Sequence, residues 1–105
     1  MVNPERGDVA IVIDGVERPM RLTLGALAAL EARLETGSLV AMVEAFERGN
    51  VRTSQLVALL WAGLNGAGWD VSYDQVAASR VDGGPMEAVR AAGRLLRVTF
   101  ADQGA

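Results

Sequence analysis

Hydrophobic positions first follow a strand pattern and then recur at helical spacing. After Asp8, residues 9–13 are apolar and mostly β-branched, and they lead into Asp14-Gly15, a dipeptide typical of tight hairpin turns. A second strand then runs to about Leu22, so the pattern predicts a β-hairpin over about 8–22. From Thr23 onward the spacing is helical.

The hairpin can form in two registers, which differ in the length of the turn. A two-residue turn pairs Val9 with Met20 and brings Asp8 opposite Arg21, a favourable charge pair. This register therefore satisfies the charges at the open end of the hairpin.

The other register has a four-residue loop and pairs Ile11 with Met20. It moves Arg18 to the margin of the loop, whereas the shorter turn sets Arg18 against the apolar Ile11. We prefer the longer loop for this reason.

Capping signals and apolar spacing predict five helices. Thr23, Ser38 and Ser72 are suited to N-caps, and Pro85 is suited to the first turn of a helix. The predicted helices cover about 24–35, 39–48, 54–65, 73–79 and 85–100. Because the third is apolar on nearly every side, we expect it in the centre of the core or with a second face toward a partner.

Two helices carry apolar stripes, one in the first helix and one in the last. The first helix has leucines at positions 24, 27, 30 and 34, and the last helix has Met86, Val89, Leu96 and Phe100 on one face. Gly93 lies inside the last helix, where glycine costs about 1 kcal/mol relative to alanine. We expect a close backbone contact to explain it.

The length of 105 residues, half of them hydrophobic, fits a single folded domain over 1–105. The predicted fold class is α+β, mainly α, with an N-terminal β-hairpin followed by about five short helices around one core. This order of elements places one hairpin ahead of an otherwise helical chain.

Composition argues against catalysis, because histidine, cysteine and lysine are all absent. These residues supply most acid–base, nucleophilic and metal-binding chemistry in proteins. The acidic pair Glu31 and Glu35 lies one helical turn apart, on a face that we expect to be solvated. We therefore predict no enzyme activity, no catalytic residues, no cofactor and no metal site.

Net charge and hydropathy narrow the class of partner. The net charge is −3, and no run of about 18 apolar residues occurs, so we expect neither nucleic acid nor a membrane as partner and place the chain in the cytoplasm. The turn at 65–68 separates two helices as in a helix-turn-helix, which leaves a small DNA-binding regulator as the least favoured alternative.

Candidate protein-binding residues come from the second predicted helix and from the glycine-rich turn after the third. They are apolar side chains of the kind found in adaptable protein grooves as well as in cores: Leu39, Met42, Val43, Phe46 and Trp69. Both interpretations, core and partner contact, stay open for this set.

Several short motifs, in order, resemble a known family. They are residues 21–31 (RLTLGALAALE), 37–40 (GSLV), 59–64 (LLWAGL) and 83–85 (GGP). Together they span nearly the whole chain. The sequence resembles the gene transfer agent tail protein family, which is grouped with phage tail assembly chaperones.

The resemblance implies a non-enzymatic tail assembly chaperone that shields apolar helical stretches of the tape-measure protein. The tail tube protein is a second implied partner. The alternative is a structural tail component retained in the particle, which would place the chain in the particle tail. Self-association and a longer, frameshifted form are left open by the sequence.

Overall fold

A two-stranded hairpin and five helices make up the described residues, 8–34 and 38–100, of this computed structural model. The elements are β1 (Val9–Ile13), β2 (Val16–Met20), α1 (Leu24–Arg33), α2 (Leu39–Glu47), α3 (Thr53–Gly66), α4 (Tyr73–Ala78) and α5 (Gly84–Phe100). The predicted fold class is confirmed. Helix bounds lie close to the predicted ones, and residue 35, the predicted end of the first helix, lies outside the described residues.

The hairpin adopts the register that we did not prefer. Val9 pairs with Met20 and Ile11 with Arg18, so the turn has two residues and the predicted four-residue loop is wrong. Asp14 and Gly15 both have positive φ, 51° and 81°, as a type I′ turn requires. The local turn chemistry therefore favours the observed register.

Arg18 lies opposite the apolar Ile11, and a contact with Trp69, which is distant in sequence, stabilises it there. Its guanidinium carbon lies 3.9 Å from the centroid of the Trp69 ring. Stacking on an aromatic face stabilises a guanidinium that would otherwise lie over apolar surface. The concern that favoured the longer loop is thus resolved by a tertiary contact.

The predicted helix caps are confirmed by their hydrogen bonds. Thr23 Oγ1 accepts from Ala26 N at 3.0 Å, and Ser38 Oγ accepts from Ala41 N at 3.1 Å. At the fourth helix, Ser72 Oγ accepts from Gln75 N at 3.1 Å while Gln75 Oε1 accepts from Ser72 N at 2.8 Å. The second pair is a complete capping box.

Helix α3 is the centre of the core, as its apolar character predicts. It contacts α1, α4, α5 and β2. Its last turns lie against the segment that joins β2 to α1: Gly63 O accepts from Arg21 N at 2.8 Å, and a Cβ at Gly66 would overlap the Arg21 carbonyl oxygen. Glycine at position 66 permits this close approach, whereas a Cβ at Gly63 would meet Leu95 Cδ2 at 2.7 Å and Met20 Cβ at 3.0 Å.

Helix α5 buries mainly its alanine face, and not the stripe of larger apolar residues noted in the sequence. Its buried residues are Ala88, Ala91, Ala92, Leu95 and Leu96, and the helix contacts α3 and β1. Met86 is 64% exposed and Phe100 is 48% exposed. Of the stripe formed by Met86, Val89, Leu96 and Phe100, only Leu96 is buried. The alanines allow α5 to approach its neighbours closely, which larger side chains would prevent.

The expected close backbone contact at Gly93 is wrong for the described residues, because a Cβ added there would meet nothing within 4 Å. The leucine stripe of α1 is not uniformly buried: Leu30 is fully buried, whereas Leu24 is 85% exposed. Helical spacing alone does not show which members of a stripe reach the core.

Candidate partner-binding surface

The predicted partner-binding residues of α2 separate into core and surface. Met42 is 1% exposed, so it belongs to the core and is removed from the candidate surface. Leu39, Val43 and Phe46 pack against the core but remain partly exposed. These three keep apolar area that another protein could contact.

Val43 and Phe46 form one wall of an apolar groove between α2 and the C-terminal half of α5. The other wall is formed by Gly93, Leu96 and Phe100, and the groove has a volume of about 410 Å³. Glu47 and Arg97 lie at its edges. We call this feature the α2–α5 groove.

Sequence reasoning found only the α2 side of this groove. The stripe on the last helix is apparent in the sequence, but the pattern assigns it neither to the core nor to a partner. A usable signal was present in the run of alanines on the neighbouring face, since alanines at positions 88, 91 and 92 also recur at helical spacing. Two apolar stripes on one helix indicate that only one of them needs to face the core.

Gly93 determines the depth of the α2–α5 groove. The open space around a Cβ at this position shows that the fold itself does not require glycine. A larger side chain would project into the groove, since Gly93 lines it. The groove therefore depends on a residue that costs helix stability, by about 1 kcal/mol relative to alanine.

Trp69 lies apart from the α2–α5 groove and packs against the core. One face of its ring is covered by Arg18, whose Nε is buried and makes no hydrogen bond in the described structure. The indole is therefore engaged within the chain. Its predicted role in partner binding remains a prediction.

The buried charge of the fold lies at the open end of the hairpin. Arg21 donates from Nε to Asp8 Oδ1 at 2.6 Å, and from Nη2 to Asp8 Oδ2 at 2.9 Å. Hydrogen bonding to the Asp8 carboxylate, which accepts from the guanidinium, raises the pKa of Arg21 above its usual value. This pair is the one that the two-residue turn predicts.

A second ionic cluster lies on α5. Glu87 accepts from Arg94 Nη2 at 3.0 Å and from Arg90 Nε at 3.1 Å. These hydrogen bonds, with that from Arg94 the stronger, lower the pKa of Glu87. Glu87 thus partly compensates the positive charges of Arg90 and Arg94, on the same helix as the exposed Met86 and Phe100.

Basic residues that are distant in sequence meet at a second groove. Arg33, Arg48 and Arg52 line it together with Glu44. Arg33 lies over two rings, 4.4 Å from the centroid of Tyr73 and 4.9 Å from that of Trp61. The sequence, in which charges are interspersed, gave no sign of this cluster.

A wider cavity, of about 680 Å³, lies beside the hairpin turn. Two of the polar side chains that line it make hydrogen bonds within the chain. Asp14 Oδ1 accepts from Arg80 N at 3.0 Å, and Ser79 Oγ donates to Val76 O at 2.7 Å. Neither side chain is paired with a base or nucleophile. The polar groups at this cavity thus cap turns and a helix end.

In residues 8–34 and 38–100, no group of three or more acidic side chains is placed to hold a metal ion. Over the same ranges, no helix combines the length and apolarity needed to cross a bilayer.

Comparison with known proteins gives one match. A family profile described as phage tail tube protein, GTA-gp10, matches residues 6–102, whereas no curated protein and no solved structure matches significantly. The predicted resemblance to a gene transfer agent tail family is confirmed, but this description does not support its chaperone part. Since the match covers nearly the whole sequence, the chain belongs to the family of phage tail tube proteins, GTA-gp10.

Proposed function

We propose that this chain is a structural, non-enzymatic component of the tail of a phage-like gene transfer agent particle, retained in the finished particle. The observation that carries the proposal is the match of residues 6–102 to a tail tube family. This proposal corresponds to the alternative that the sequence resemblance implied, and it replaces the chaperone as the preferred function.

The surface features support a role in protein contact. The α2–α5 groove is lined by Val43, Phe46 and Leu96, and α5 carries Met86 and Phe100 with large exposed fractions. Exposed apolar area of this kind is typical of protein interfaces. In this proposal, the contacts of the chain are with other tail proteins, including tube subunits.

Quantitative mass spectrometry of purified particles tests the proposal. The chain should be present at a fixed ratio to the major tail subunit in independent preparations, and washing with salt should not remove it. A capsid-only fraction provides the matched control, in which the chain should be depleted. Particles with complete tails that lack the chain would contradict the proposal.

A tail assembly chaperone is the second candidate, and the α2–α5 groove is the observation that favours it. An apolar groove between two helices can accept the apolar face of a third helix. In this function, the chain would shield helical stretches of the tape-measure protein in the cytoplasm and would be absent from the finished particle.

Co-expression with the tape-measure protein tests the second candidate. The wild-type chain should raise the soluble fraction of that protein and copurify with it, and Phe46→Glu should abolish both effects. Val40→Glu is the matched control, because Val40 is exposed on α2 and does not line the groove. No complex with the wild-type chain at low salt would count against this candidate.

A further inference from the structure

The second groove, lined by Arg33, Arg48 and Arg52, gathers positive charge on a chain whose net charge is −3. It has a volume of about 600 Å³ and lies where α1 and α2 end and α3 begins. Arg33 is the last residue of α1, Arg48 follows α2 and Arg52 precedes α3. Among the described residues that line this groove, Glu44 alone carries a carboxylate. The fold thus brings together basic residues from three helix ends.

Two aromatic rings position the guanidinium of Arg33. Its central carbon lies 4.4 Å from the centroid of the Tyr73 ring and 4.9 Å from that of the Trp61 ring. Stacking occupies the face of a planar guanidinium, whereas the N–H donors lie in its plane. Arg33 therefore keeps donors for a ligand, and a positioned side chain loses less conformational entropy on binding.

Arg33 and Arg48 are not compensated by carboxylates of the described residues. Neither makes an ion pair in residues 8–34 and 38–100, although Glu44 lies one helical turn before Arg48. The arginines of α5 differ in this respect, because Glu87 pairs with two of them. The second groove therefore offers guanidinium groups that the described part of the chain does not neutralise.

The floor of the second groove is apolar. Leu34 and Ala58 line it and are buried, whereas its three arginines are exposed, so the charges form a rim around an apolar floor. Ala41 and Ala45 also line it, and their small side chains leave room above them. A complementary ligand combines small apolar groups with anionic groups.

An acidic protein segment fits this lining better than a nucleic acid does. A phosphate backbone carries an uninterrupted row of negative charge, which Glu44 and the net charge of −3 would repel. A peptide places its carboxylates at separate positions and offers small side chains to the floor. A carboxylate also accepts two parallel hydrogen bonds from a guanidinium.

We propose that the second groove binds an acidic segment of a partner protein, with carboxylates of that segment accepting hydrogen bonds from Arg33 and Arg48. Small apolar side chains of the segment contact the alanine-lined floor. Arginine clusters recognise acidic motifs in this way in other protein complexes. This site goes beyond the proposed tail function and does not depend on it, because it is a property of the folded chain.

Fluorescence anisotropy with a short labelled peptide of alternating glutamate and alanine tests the class of ligand. At low salt the wild-type chain should bind this peptide at least 10-fold more tightly than a matched peptide with glutamine in place of glutamate. A single-stranded oligonucleotide of the same net charge should bind more weakly than the acidic peptide. Absence of peptide binding, or tighter binding of the oligonucleotide, overturns the proposal.

Charge variants of the chain test the location of the site. Arg33→Gln and Arg48→Gln should each weaken peptide binding at least 3-fold. Arg97→Gln is the matched control, because Arg97 is exposed and lines the α2–α5 groove instead. Equal weakening by all three variants would show an effect of net charge alone and would overturn the site.

Glu44→Gln should strengthen peptide binding at least 2-fold, because it removes the negative charge that lines the second groove. Glu47→Gln makes the same change in net charge at the α2–α5 groove and should leave the affinity unchanged. Circular dichroism should show that all variants fold. The Arg48 and Glu44 variants remove no ion pair between described residues, so they test the site even if Arg33→Gln destabilises the fold. Equal affinities of the two glutamate variants would contradict the location.

Discussion

Arg21 holds Asp8 through two parallel hydrogen bonds, Nε to Oδ1 at 2.6 Å and Nη2 to Oδ2 at 2.9 Å. Asp8 is only 3% exposed, whereas the Arg21 side chain retains contact with solvent. The pair joins the start of β1 to the segment before α1. It therefore fixes the open end of the hairpin against the helical part of the chain.

The first prediction is that removing Arg21 and removing Asp8 destabilise the fold by unequal amounts. Arg21→Ala should destabilise the fold more than Asp8→Ala, because it leaves a buried carboxylate without its guanidinium. Asp8→Ala leaves a guanidinium that water can reach. Urea unfolding of both variants measures the difference. The double variant Asp8→Leu/Arg21→Met should recover part of the loss, and equal losses for the two single variants would contradict the argument.

The second prediction compares two glycines within helices. Gly66→Ala should destabilise the chain by about 1–3 kcal/mol, the range for overpacking, because the added Cβ overlaps the Arg21 carbonyl oxygen. Gly93→Ala should stabilise the monomer by about 0.5–1 kcal/mol, because it relieves the cost of glycine and meets no atom. Urea unfolding at low protein concentration measures both changes. A loss of stability in Gly93→Ala would show that the position is constrained within the monomer.

The third prediction separates core from surface on α2. Met42→Ala should cost about 2–5 kcal/mol, as expected for a buried side chain replaced by alanine. Phe46→Ala should cost less, because Phe46 keeps part of its surface exposed. Thermal unfolding followed by circular dichroism gives both values. Similar losses for the two variants would place Phe46 in the core as well.

The fourth prediction concerns pH. The pKa of Glu87 is lowered in the folded chain, so its stabilising effect is complete above the pKa of the unfolded state. The effect should disappear as the pH falls from the usual glutamate range, about pH 4–5, through the lowered pKa. Glu87→Gln should be slightly less stable than wild type at pH 7, and the difference should vanish once the pH lies below the lowered pKa of Glu87. The effect is small because the cluster is partly exposed.

Melting temperatures of wild type and Glu87→Gln, measured across this pH range, check the fourth prediction. Glu47→Gln is the matched control, because Glu47 makes no ion pair in the described structure and should show no such convergence. A constant difference between wild type and Glu87→Gln at all pH values would exclude the ionic mechanism.

Local signals in the sequence predicted the elements well. Caps such as Thr23 and Ser72 determine where helices begin, because a side-chain oxygen satisfies backbone N–H groups that the helix leaves open. The dipeptide Asp14-Gly15 likewise specifies a type I′ turn. These features depend on residues within a few positions of each other, so the sequence alone is sufficient to find them.

The candidate site was only half predicted. Val43 and Phe46 were identified from the stripe on α2, but Met42 belongs to the core, and the α5 wall with Gly93 and Phe100 was missed. On α5 the sequence showed a stripe of large apolar residues but not which face is buried, and the fold buries mainly the alanines. Which stripe faces inward depends on how closely α5 packs against β1 and α3. Helical spacing in the sequence carries no information about that distance.

The sequence by itself determined a hairpin followed by helices, their caps, and a chain without histidine, cysteine or lysine. Tertiary structure decided the rest: it placed Trp69 where Arg18 can stack, and so allowed the two-residue turn that local preference for a polar margin had argued against. It also turned the alanine face of α5 inward and left Met86 and Phe100 outside. The physical reason is the same in both cases, because contacts between residues far apart in sequence outweigh local hydrophobic patterns.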